Sequence, residues 1–303
     1  MINNSDVNKN VTAHQKKSRA KMIAGKVSVY FVLIVYALVI ILPFLIILLT
    51  SLKNSKDASK LYFELIPEHG FTLSGYEQVF KYKANNDALF PTIVSGFFNT
   101  LLYVIPPTLI GLLSSSISAY AFSKLRFKAK GWMYSVLLGT MMIPGMITIA
   151  PTYLIYDSLN LINTPFPLMV PGMFGAAACV FFMCQFYTSI NDSIIEAAKI
   201  DGEGYLGIFF KIMVPLSVPA LIAQGLLGFI GGYNDYFGPL IFIESSDKQK
   251  LQVALKNFAG EHEANYPNAA MAGTIIALIP TLIVYFIAQD YFIEGIAASG
   301  IKM

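Results

Sequence analysis

The stretch Asn191–Pro215, NDSIIEAAKIDGEGYLGIFFKIMVP, is a polar interruption between two long apolar segments. Ser193 and Glu196 have the spacing of a capping box, which predicts a helix that starts near Ile194. Asp201-Gly202 ends this helix, because glycine adopts at little cost the left-handed conformation that closes a helix. A second short helix is predicted from apolar residues at helical spacing, namely Tyr205, Ile208, Phe209, Ile212 and Met213. The stretch therefore predicts a helix-turn-helix hairpin.

Within this hairpin (residues 191–214) and the proline that follows it, six positions carry a motif: Glu196-Ala197-Ala198, Asp201-Gly202 and Pro215. At this spacing they resemble the EAA loop of the membrane subunits of bacterial ATP-binding-cassette (ABC) importers. The resemblance implies that Glu196, Ala197, Ala198, Asp201 and Gly202 couple the chain to an ATPase. Glu203 departs from the family, which usually has a small residue there. On an isolated hairpin, Glu196 would be interpreted only as a helix cap.

A second stretch, Tyr233–Ile241 (YNDYFGPLI), resembles the pattern that follows the loop in the carbohydrate-uptake class of these importers. It is most similar to the smaller, six-span subunits of maltose-type sugar importers, which usually carry Trp at the position of Tyr233. The resemblance extends from about Lys26 to the C-terminus and includes Gly295–Lys302. It implies an all-α polytopic membrane protein with the type I ABC importer fold.

The composition indicates a membrane protein, with 55% hydrophobic and 13% charged residues, where a soluble domain has about 25% charged residues. A helix needs about 20 mostly apolar residues to cross the hydrocarbon core. The chain is predicted to be a short disordered cytoplasmic tail (residues 1–25) followed by one transmembrane domain (26–303) with a C-terminal tail (294–303). The domain has six predicted spans: 27–52, 92–122, 132–156, 168–187, 215–243 and 269–292.

Four basic residues within seven positions set the predicted orientation: Lys124, Arg126, Lys128 and Lys130. Because short cytoplasmic loops are enriched in Lys and Arg, this loop is placed inside. Both termini and the hairpin are then cytoplasmic, and the loops around residues 51–91, 157–167 and 244–267 are outside. The predicted location is the bacterial cytoplasmic membrane.

Polar residues near the end of the fifth span are candidates for a substrate pathway. Tyr233, Asn234 and Asp235 lie about 27–30 Å along a helix from Pro215, near the outer mouth. Tyr233 is equally well explained as an interfacial aromatic residue, whereas Asn234 and Asp235 favour the pathway.

No catalytic or metal-binding residue is predicted. The sequence lacks the phosphate-binding pattern G-x-x-x-x-G-K-[ST], so ATP and Mg would be bound by a separate ATPase chain rather than by a cofactor site here. Cys179 and Cys184 fall on different faces of one helix, which argues against a disulfide or a zinc site. The chain is accordingly predicted to be a transport subunit and not an enzyme.

The resemblance implies a set of partners: a second permease subunit, two ABC ATPase subunits and an extracellular or periplasmic sugar-binding protein. The lipid bilayer surrounds the chain and is a further partner, and no nucleic-acid partner is implied. Two other classes stay open on the residues alone, an ion-coupled secondary transporter of a small solute and a membrane-embedded enzyme. Secondary transporters usually carry ionisable residues near mid-membrane, whereas the acidic residues here cluster near the surfaces. Copurification of an ATPase would distinguish the importer from both.

Overall fold

The computed structural model describes residues 4–262 and 265–300, and most of them are helical. In chain order the helices are α1 (Asn4–Ser51), α2 (Ser55–Ala58), α3 (Ser74–Lys81), α4 (Thr92–Lys124), α5 (Lys130–Met141), α6 (Gly145–Ser158), α7 (Phe166–Met173), α8 (Ala177–Ser189), α9 (Asp192–Ile200), α10 (Tyr205–Ile208), α11 (Val214–Leu216), α12 (Val218–Asn234), α13 (Phe237–Phe242), α14 (Leu251–His262) and α15 (Pro267–Gly300). A π-helical turn, Phe209–Met213, joins α10 to α11. Within the described ranges there is no strand, only an isolated bridge between Lys53 and Phe71.

Among the described residues, four helical segments are long and apolar enough to cross a membrane: Gly25–Ser51, Thr92–Lys124, Phe166–Ser189 and Pro267–Gln289. Two further segments meet the same criteria as bent pairs, Lys130–Met141 with Gly145–Ser158 and Tyr205–Leu216 with Val218–Asn234. When each bent pair is counted as one span, all six predicted spans are found. We number them spans one to six in chain order, and we count residues 205–214 of the fifth segment with the hairpin.

Span three, which was predicted over residues 132–156, is broken near its middle. Its two halves, α5 and α6, meet at an angle of 96°. Pro144 lies at the break and acts as the N-terminal cap of α6. A proline disfavours helical geometry in the residue before it and supplies no backbone N–H, so a Pro-Gly pair is sufficient to interrupt the span.

Span five differs from its prediction, a helix over residues 215–243 that continues directly from the hairpin. The axis bends by 79° between α11 and α12, and Ser217 at the bend has φ −105° and ψ 8°. Pro215 and Pro219 flank it, and neither has an N–H to donate to the helix. At the other end α12 stops at Asn234, and the short helix α13 follows.

The termini also differ from their predictions. Helix α1 begins at Asn4, whereas a disordered tail was predicted over residues 1–25. Residues 4–24 contain neither Gly nor Pro, and extending an existing helix costs much less than nucleating one. The predicted C-terminal tail (294–303) continues α15 as far as Gly300. Residues 1–3 and 301–303 lie outside the described part of the chain.

The loops meet in two groups at opposite ends of the bundle. Lys124, at the end of span two, contacts Asp192 of the hairpin. At the other end the Ser55 hydroxyl donates to the carbonyl of Asn265 (2.6 Å), and the Asn163 amide donates to the Ser245 hydroxyl (2.7 Å). This grouping matches the predicted alternation of inner and outer loops. We use inner and outer for the two ends as the positive-inside rule assigns them.

Spans two and four pack closely enough to require glycine. A Cβ on Gly111 would lie 2.2 Å from the carbonyl oxygen of Gly172. Span four is interrupted at Gly175, which has φ +93°. Ser114 donates to the Phe174 carbonyl (2.9 Å) and Ser115 accepts from the Ala176 N–H (3.1 Å), so serine hydroxyls of span two satisfy the broken turn.

The buried residues form two clusters, one at each end. The inner cluster joins spans two and four to the hairpin through residues such as Tyr120, Met183, Tyr187, Phe209 and Met213. The outer cluster joins spans two, five and six to α3 and α14 through residues such as Val79, Ile93, Tyr233, Leu251 and Phe258. Both ends of span five are therefore anchored in a core.

Candidate functional site

The first helix of the hairpin, α9, begins with an asparagine cap. The Asn191 side chain accepts a hydrogen bond from the N–H of Ser193 (3.0 Å), and the helix starts at Asp192. The predicted capping box of Ser193 and Glu196 is therefore wrong, and the helix starts two residues earlier than Ile194. Asparagine is as good an N-cap as serine, and Asn191, which lies upstream of Ser193, occupies the N-cap position.

The turn has the geometry that the sequence predicted. Gly202 has φ +86°, in the left-handed region. Its N–H donates to the carbonyl of Lys199 (3.1 Å), and the N–H of Glu203 donates to that of Ala198 (2.9 Å). These two bonds form a Schellman motif, which satisfies the carbonyls at the end of α9.

The motif residues divide between the core and the surface. Ala198 is buried, next to Ile195 on the face that packs against the inner cluster. Glu196, Ala197, Asp201 and Gly202 are exposed. The hairpin is thus held by one face and presents the rest of the motif outward. It also exposes apolar side chains, with Ile200 at 86%, Leu206 at 69% and Phe210 at 52% of their maximum area.

Glu203, where the family usually has a small residue, is accommodated by a glycine. Its carboxylate pairs with Lys211 (2.5 Å). A Cβ on Gly207 would lie 2.0 Å from Glu203 Oε2, so the carboxylate occupies the space left by the missing side chain. The departure from the family pattern is therefore compensated within the second helix.

A lysine joins the hairpin to span two. The Lys124 ammonium donates to the carbonyl of Ile190 (2.6 Å) and to Asp192 Oδ1 (2.5 Å). This hydrogen bond lowers the pKa of Asp192 below its usual value. Nearby, the rings of Tyr120 and Phe209 pack with their centroids 5.6 Å apart. Polar and apolar contacts together fix the hairpin against the bundle.

At the outer end, Tyr233 is fully buried, with none of its surface exposed. Its hydroxyl donates to the carbonyl of Ala277 in span six (2.9 Å), and its ring stacks on Phe229. This burial favours packing for Tyr233, and its pathway role stays a prediction. An aromatic residue at this depth gives no signal in the sequence that separates packing from a pathway role.

Asn234 and Asp235 lie at the end of α12 and are more accessible. Asn234 is exposed, and its amide donates to the carbonyl of Ile230 (3.0 Å). Asp235 accepts from the N–H of Gly238 (3.2 Å), and its side chain is 41% exposed. The pathway role of these two residues stays a prediction.

Sequence reasoning missed Lys250, a buried charged group near this mouth. Its side chain is 3% exposed, and its ammonium donates to the carbonyl of Gly232 and lies 4.0 Å from Asp235 Oδ2. Burial lowers the pKa of Lys250, partly offset by the Asp235 charge. The lysine thus neutralises the carboxylate and satisfies a carbonyl at the C-terminal end of α12.

Two asparagines hold the loop that carries Lys250. Asn99 of span two donates to the carbonyls of Asp247 (2.7 Å) and Gln249 (3.1 Å). The Asn163 side chain accepts a hydrogen bond from the N–H of Ser245 (3.0 Å), and the Asn163 backbone carbonyl accepts one from the ammonium of Lys248 (3.2 Å). We call residues 244–251 the outer strap.

Three potential metal ligands converge in the first outer loop, Asp57, Glu68 and His69. The ammonium of Lys60 lies 2.9 Å from Glu68 and 3.5 Å from Asp57. Hydrogen bonds from the backbone and side chain of His69 lower the pKa of Asp57. The cluster therefore already contains a cation, and its geometry is that of an ion-pair network.

A bundle of up to six apolar helical spans, with a hairpin held at one end, defines a multi-pass membrane protein. The family described as "Binding-protein-dependent transport system inner membrane component" matches residues 108–297. This is more than half of the chain, which therefore belongs to that family.

Individual relatives match between two thirds and nearly all of the chain. A probable ABC transporter permease of Bacillus subtilis is 29% identical over 94% of this chain and 92% of its own length. The arabinooligosaccharides transport system permease of Halalkalibacterium halodurans is 29% identical over 88% of this chain and 92% of its own. The lactose transport system permease of Rhizobium radiobacter is 31% identical over 67% of this chain and 74% of its own length.

Among solved structures, a bacterial ABC transporter involved in the import of the acidic polysaccharide alginate matches with a TM-score of 0.74. The sequences are 27% identical, and the match covers 90% of this chain and 98% of that chain. The chain thus has the type I ABC importer membrane fold that its sequence predicted.

Proposed function

We propose that this chain is the membrane-spanning permease subunit of an ATP-driven importer of sugars or oligosaccharides. It forms half of the translocation pathway and couples to a separate ATPase subunit. The observation that carries the proposal is the division of the hairpin. Ile195 and Ala198 are buried against spans two and four, while Glu196, Ala197, Asp201 and Gly202 face outward. A rigidly held element with an exposed motif suits docking to a partner that changes shape.

The carbohydrate class is supported by the relatives. Their printed names include transport systems for arabinooligosaccharides, lactose and polygalacturonan or rhamnogalacturonan, and the structural neighbour is linked to alginate. These compounds share a dense array of hydroxyl groups. Amide and carboxylate side chains bind hydroxyls well, because they offer donors and acceptors together or two acceptor oxygens. Asn234 and Asp235 supply such groups at the outer mouth.

The proposed complex contains a second permease subunit, two ABC ATPase subunits that bind ATP and Mg, and an extracellular or periplasmic sugar-binding protein. In span one, the most apolar 18-residue window has no buried residue in this subunit. Neighbouring protein or lipid must cover that window. The chain lies in the bacterial cytoplasmic membrane with both termini and the hairpin in the cytoplasm, and it carries no ATPase site of its own.

The proposal is tested by uptake and copurification in the source strain. Cells lacking the chain are compared with complemented cells for uptake of labelled lactose, arabino-oligosaccharides and oligogalacturonates. We expect one class to depend on the chain, and a tagged chain to copurify with an ATPase. Uptake that persists without ATP and follows an ion gradient would instead identify a secondary transporter.

Asn234 tests the pathway separately from folding. Asn234→Leu removes an exposed amide whose only hydrogen bond within the described residues is to its own helix. We expect uptake of the identified sugar to fall while abundance and ATPase copurification stay normal. Unchanged uptake would leave the residue outside the pathway.

A further inference from the structure

We infer that three buried hydroxyl groups, those of Ser116, Tyr187 and Ser217, brace the junction between the hairpin and span five. We call them the hydroxyl chain. In this role Tyr187 is a positioning residue through which movement of the hairpin reaches spans two and four. The inference rests on the proposed function, because it concerns how an ATPase-driven movement is transmitted.

The hydroxyl chain crosses three elements without contact with solvent. Ser116 Oγ lies 2.5 Å from Tyr187 Oη, which lies 3.2 Å from Ser217 Oγ. The exposed fractions of the three residues are 1%, 0% and 0%. Buried hydroxyls that lack a partner are costly, so these groups must bond to one another.

The donor and acceptor of each hydrogen bond in the hydroxyl chain follow from its last member, Ser217. Ser217 donates to the carbonyl of Val214 (3.1 Å), which leaves its oxygen free to accept from Tyr187. Tyr187 then accepts from Ser116. Each hydrogen is used once, so the chain is fully satisfied. Span two, span four and the start of span five are thereby linked in one line.

The position of Ser217 gives the chain its mechanical role. Ser217 is the single residue between α11 and α12, where the axis turns by 79°. Pro215 and Pro219 on either side cannot donate backbone hydrogen bonds. The backbone at the bend is therefore held through Ser217 itself, whose N–H donates to the carbonyls of Met213 (3.1 Å) and Val214 (3.0 Å). A change of φ or ψ at this residue would absorb a movement of the hairpin before it reached α12.

The hydrogen bond between Tyr187 and Ser217 prevents the bend from absorbing the movement of the hairpin. To rotate, Ser217 must break a buried hydrogen bond for which no water can substitute. Tyr187 is itself fixed in the inner cluster and bonded to Ser116. The bend therefore moves together with spans two and four, and movement of the hairpin is passed to the spans.

The test uses the complete importer with its binding protein in proteoliposomes. Transport of the labelled lactose or arabino-oligosaccharide selected by the uptake panel is divided by ATP hydrolysed. In Tyr187→Phe we expect assembly and ATP hydrolysis to continue, and transport per ATP to fall about two- to tenfold, the range for loss of one neutral hydrogen bond. A purely structural role would lower the yield of complex and leave this ratio unchanged.

Tyr120 provides the matched control. It is also buried in the inner cluster, and its hydroxyl has no hydrogen-bond partner among the described residues. Tyr120→Phe makes the same chemical change without removing a bond, so transport per ATP should equal that of the unmodified chain. An equal fall in both variants would overturn the inference.

Ser217 keeps the inference testable if Tyr187→Phe fails to assemble. Ser217→Ala removes the hydroxyl and should lower transport per ATP, whereas Ser217→Thr retains it and should restore the ratio. Equal ratios in these two variants would overturn the inference. If the unmodified complex shows no ATP-dependent transport, the proposed function fails instead.

Discussion

The two ends of span five are both interrupted helices, but different chemistry holds them. At the inner end the bend at Ser217 is braced by neutral hydroxyls from spans two and four. At the outer end the break after Asn234 is held by the charged Lys250 and by the outer strap, which Asn99 and Asn163 fasten.

The difference shows how one helix can be mobile at one end and fixed at the other. A hydroxyl both donates and accepts, so a chain of hydroxyls can join several spans that then move together. A lysine only donates, and burying its charge without acceptors is costly. We therefore expect distortion at the inner end to affect coupling first, and distortion at the outer end to affect stability first.

The largest expected effect is on coupling, through the turn of the hairpin. Gly202→Thr places a β-branched residue at φ +86°, which costs about 1–3 kcal/mol or forces the turn to rearrange. No atom lies within 4 Å of the added Cβ, so the effect is backbone strain and not a clash. Uptake and ATPase copurification should fall strongly, with abundance in the membrane unchanged.

Gly204→Thr is the matched control for this prediction. Gly204 lies two residues later, has φ −77° and caps α10, a position that threonine suits. It should retain uptake. Normal uptake by Gly202→Thr at normal abundance would contradict the coupling role of the turn. It would also contradict the expectation that distortion at the inner end of span five affects coupling first.

A smaller effect is expected from Lys250→Met, and it falls on stability. The variant keeps the length of the side chain but removes the hydrogen bond from the ammonium to the carbonyl of Gly232, a loss of about 1–3 kcal/mol. That carbonyl then keeps only the backbone N–H of Asp235 as a donor (3.3 Å). The thermal midpoint in detergent should fall. Lys256→Met, at an exposed position of α14, should leave it unchanged. Equal midpoints would show that the outer end does not depend on the buried charge.

The smallest expected effect is that of pH on the inner end. Because Lys124 lowers the pKa of Asp192, the ion pair stabilises the fold above the ordinary carboxyl pKa and is lost only as the pH falls through the lowered value. Amide exchange in α9, corrected for intrinsic rates, should therefore be the same at pH 7 and at about pH 5. A change over this interval that is absent from Asp192→Asn would contradict the assignment.

The sequence predicted the features that depend on neighbours along the chain. Apolar length located all six spans, and Asp201-Gly202 located the turn. The capping box failed because two good caps, Asn191 and Ser193, compete within three residues. The Pro144-Gly145 pair was visible, but the 96° angle depends on the packing of both halves.

The features that were missed depend on contacts between distant parts of the chain. In the sequence, a lysine in a loop of mixed charge looks like a solvated residue. Lys250 is instead buried, because the carbonyl of Gly232, 18 residues earlier, accepts a hydrogen bond from its ammonium. Asn99 meets Asp247 across 148 residues. The hydroxyl chain likewise joins Ser116 to Tyr187 across 71 residues. Residue type at these positions carries no local signal of such pairing.

Span one has a consequence for how the subunit responds to heat. The side chains of its most apolar window are not buried, although the helix α1 packs against α15, and its last residue, Ser51, is buried and lies 2.9 Å from the hydroxyl of Tyr76. Helices that share a buried cluster unfold as one cooperative unit. Spans two, four, five and six, which share the two buried clusters, should therefore melt together in the isolated subunit, where detergent must cover the exposed window of span one.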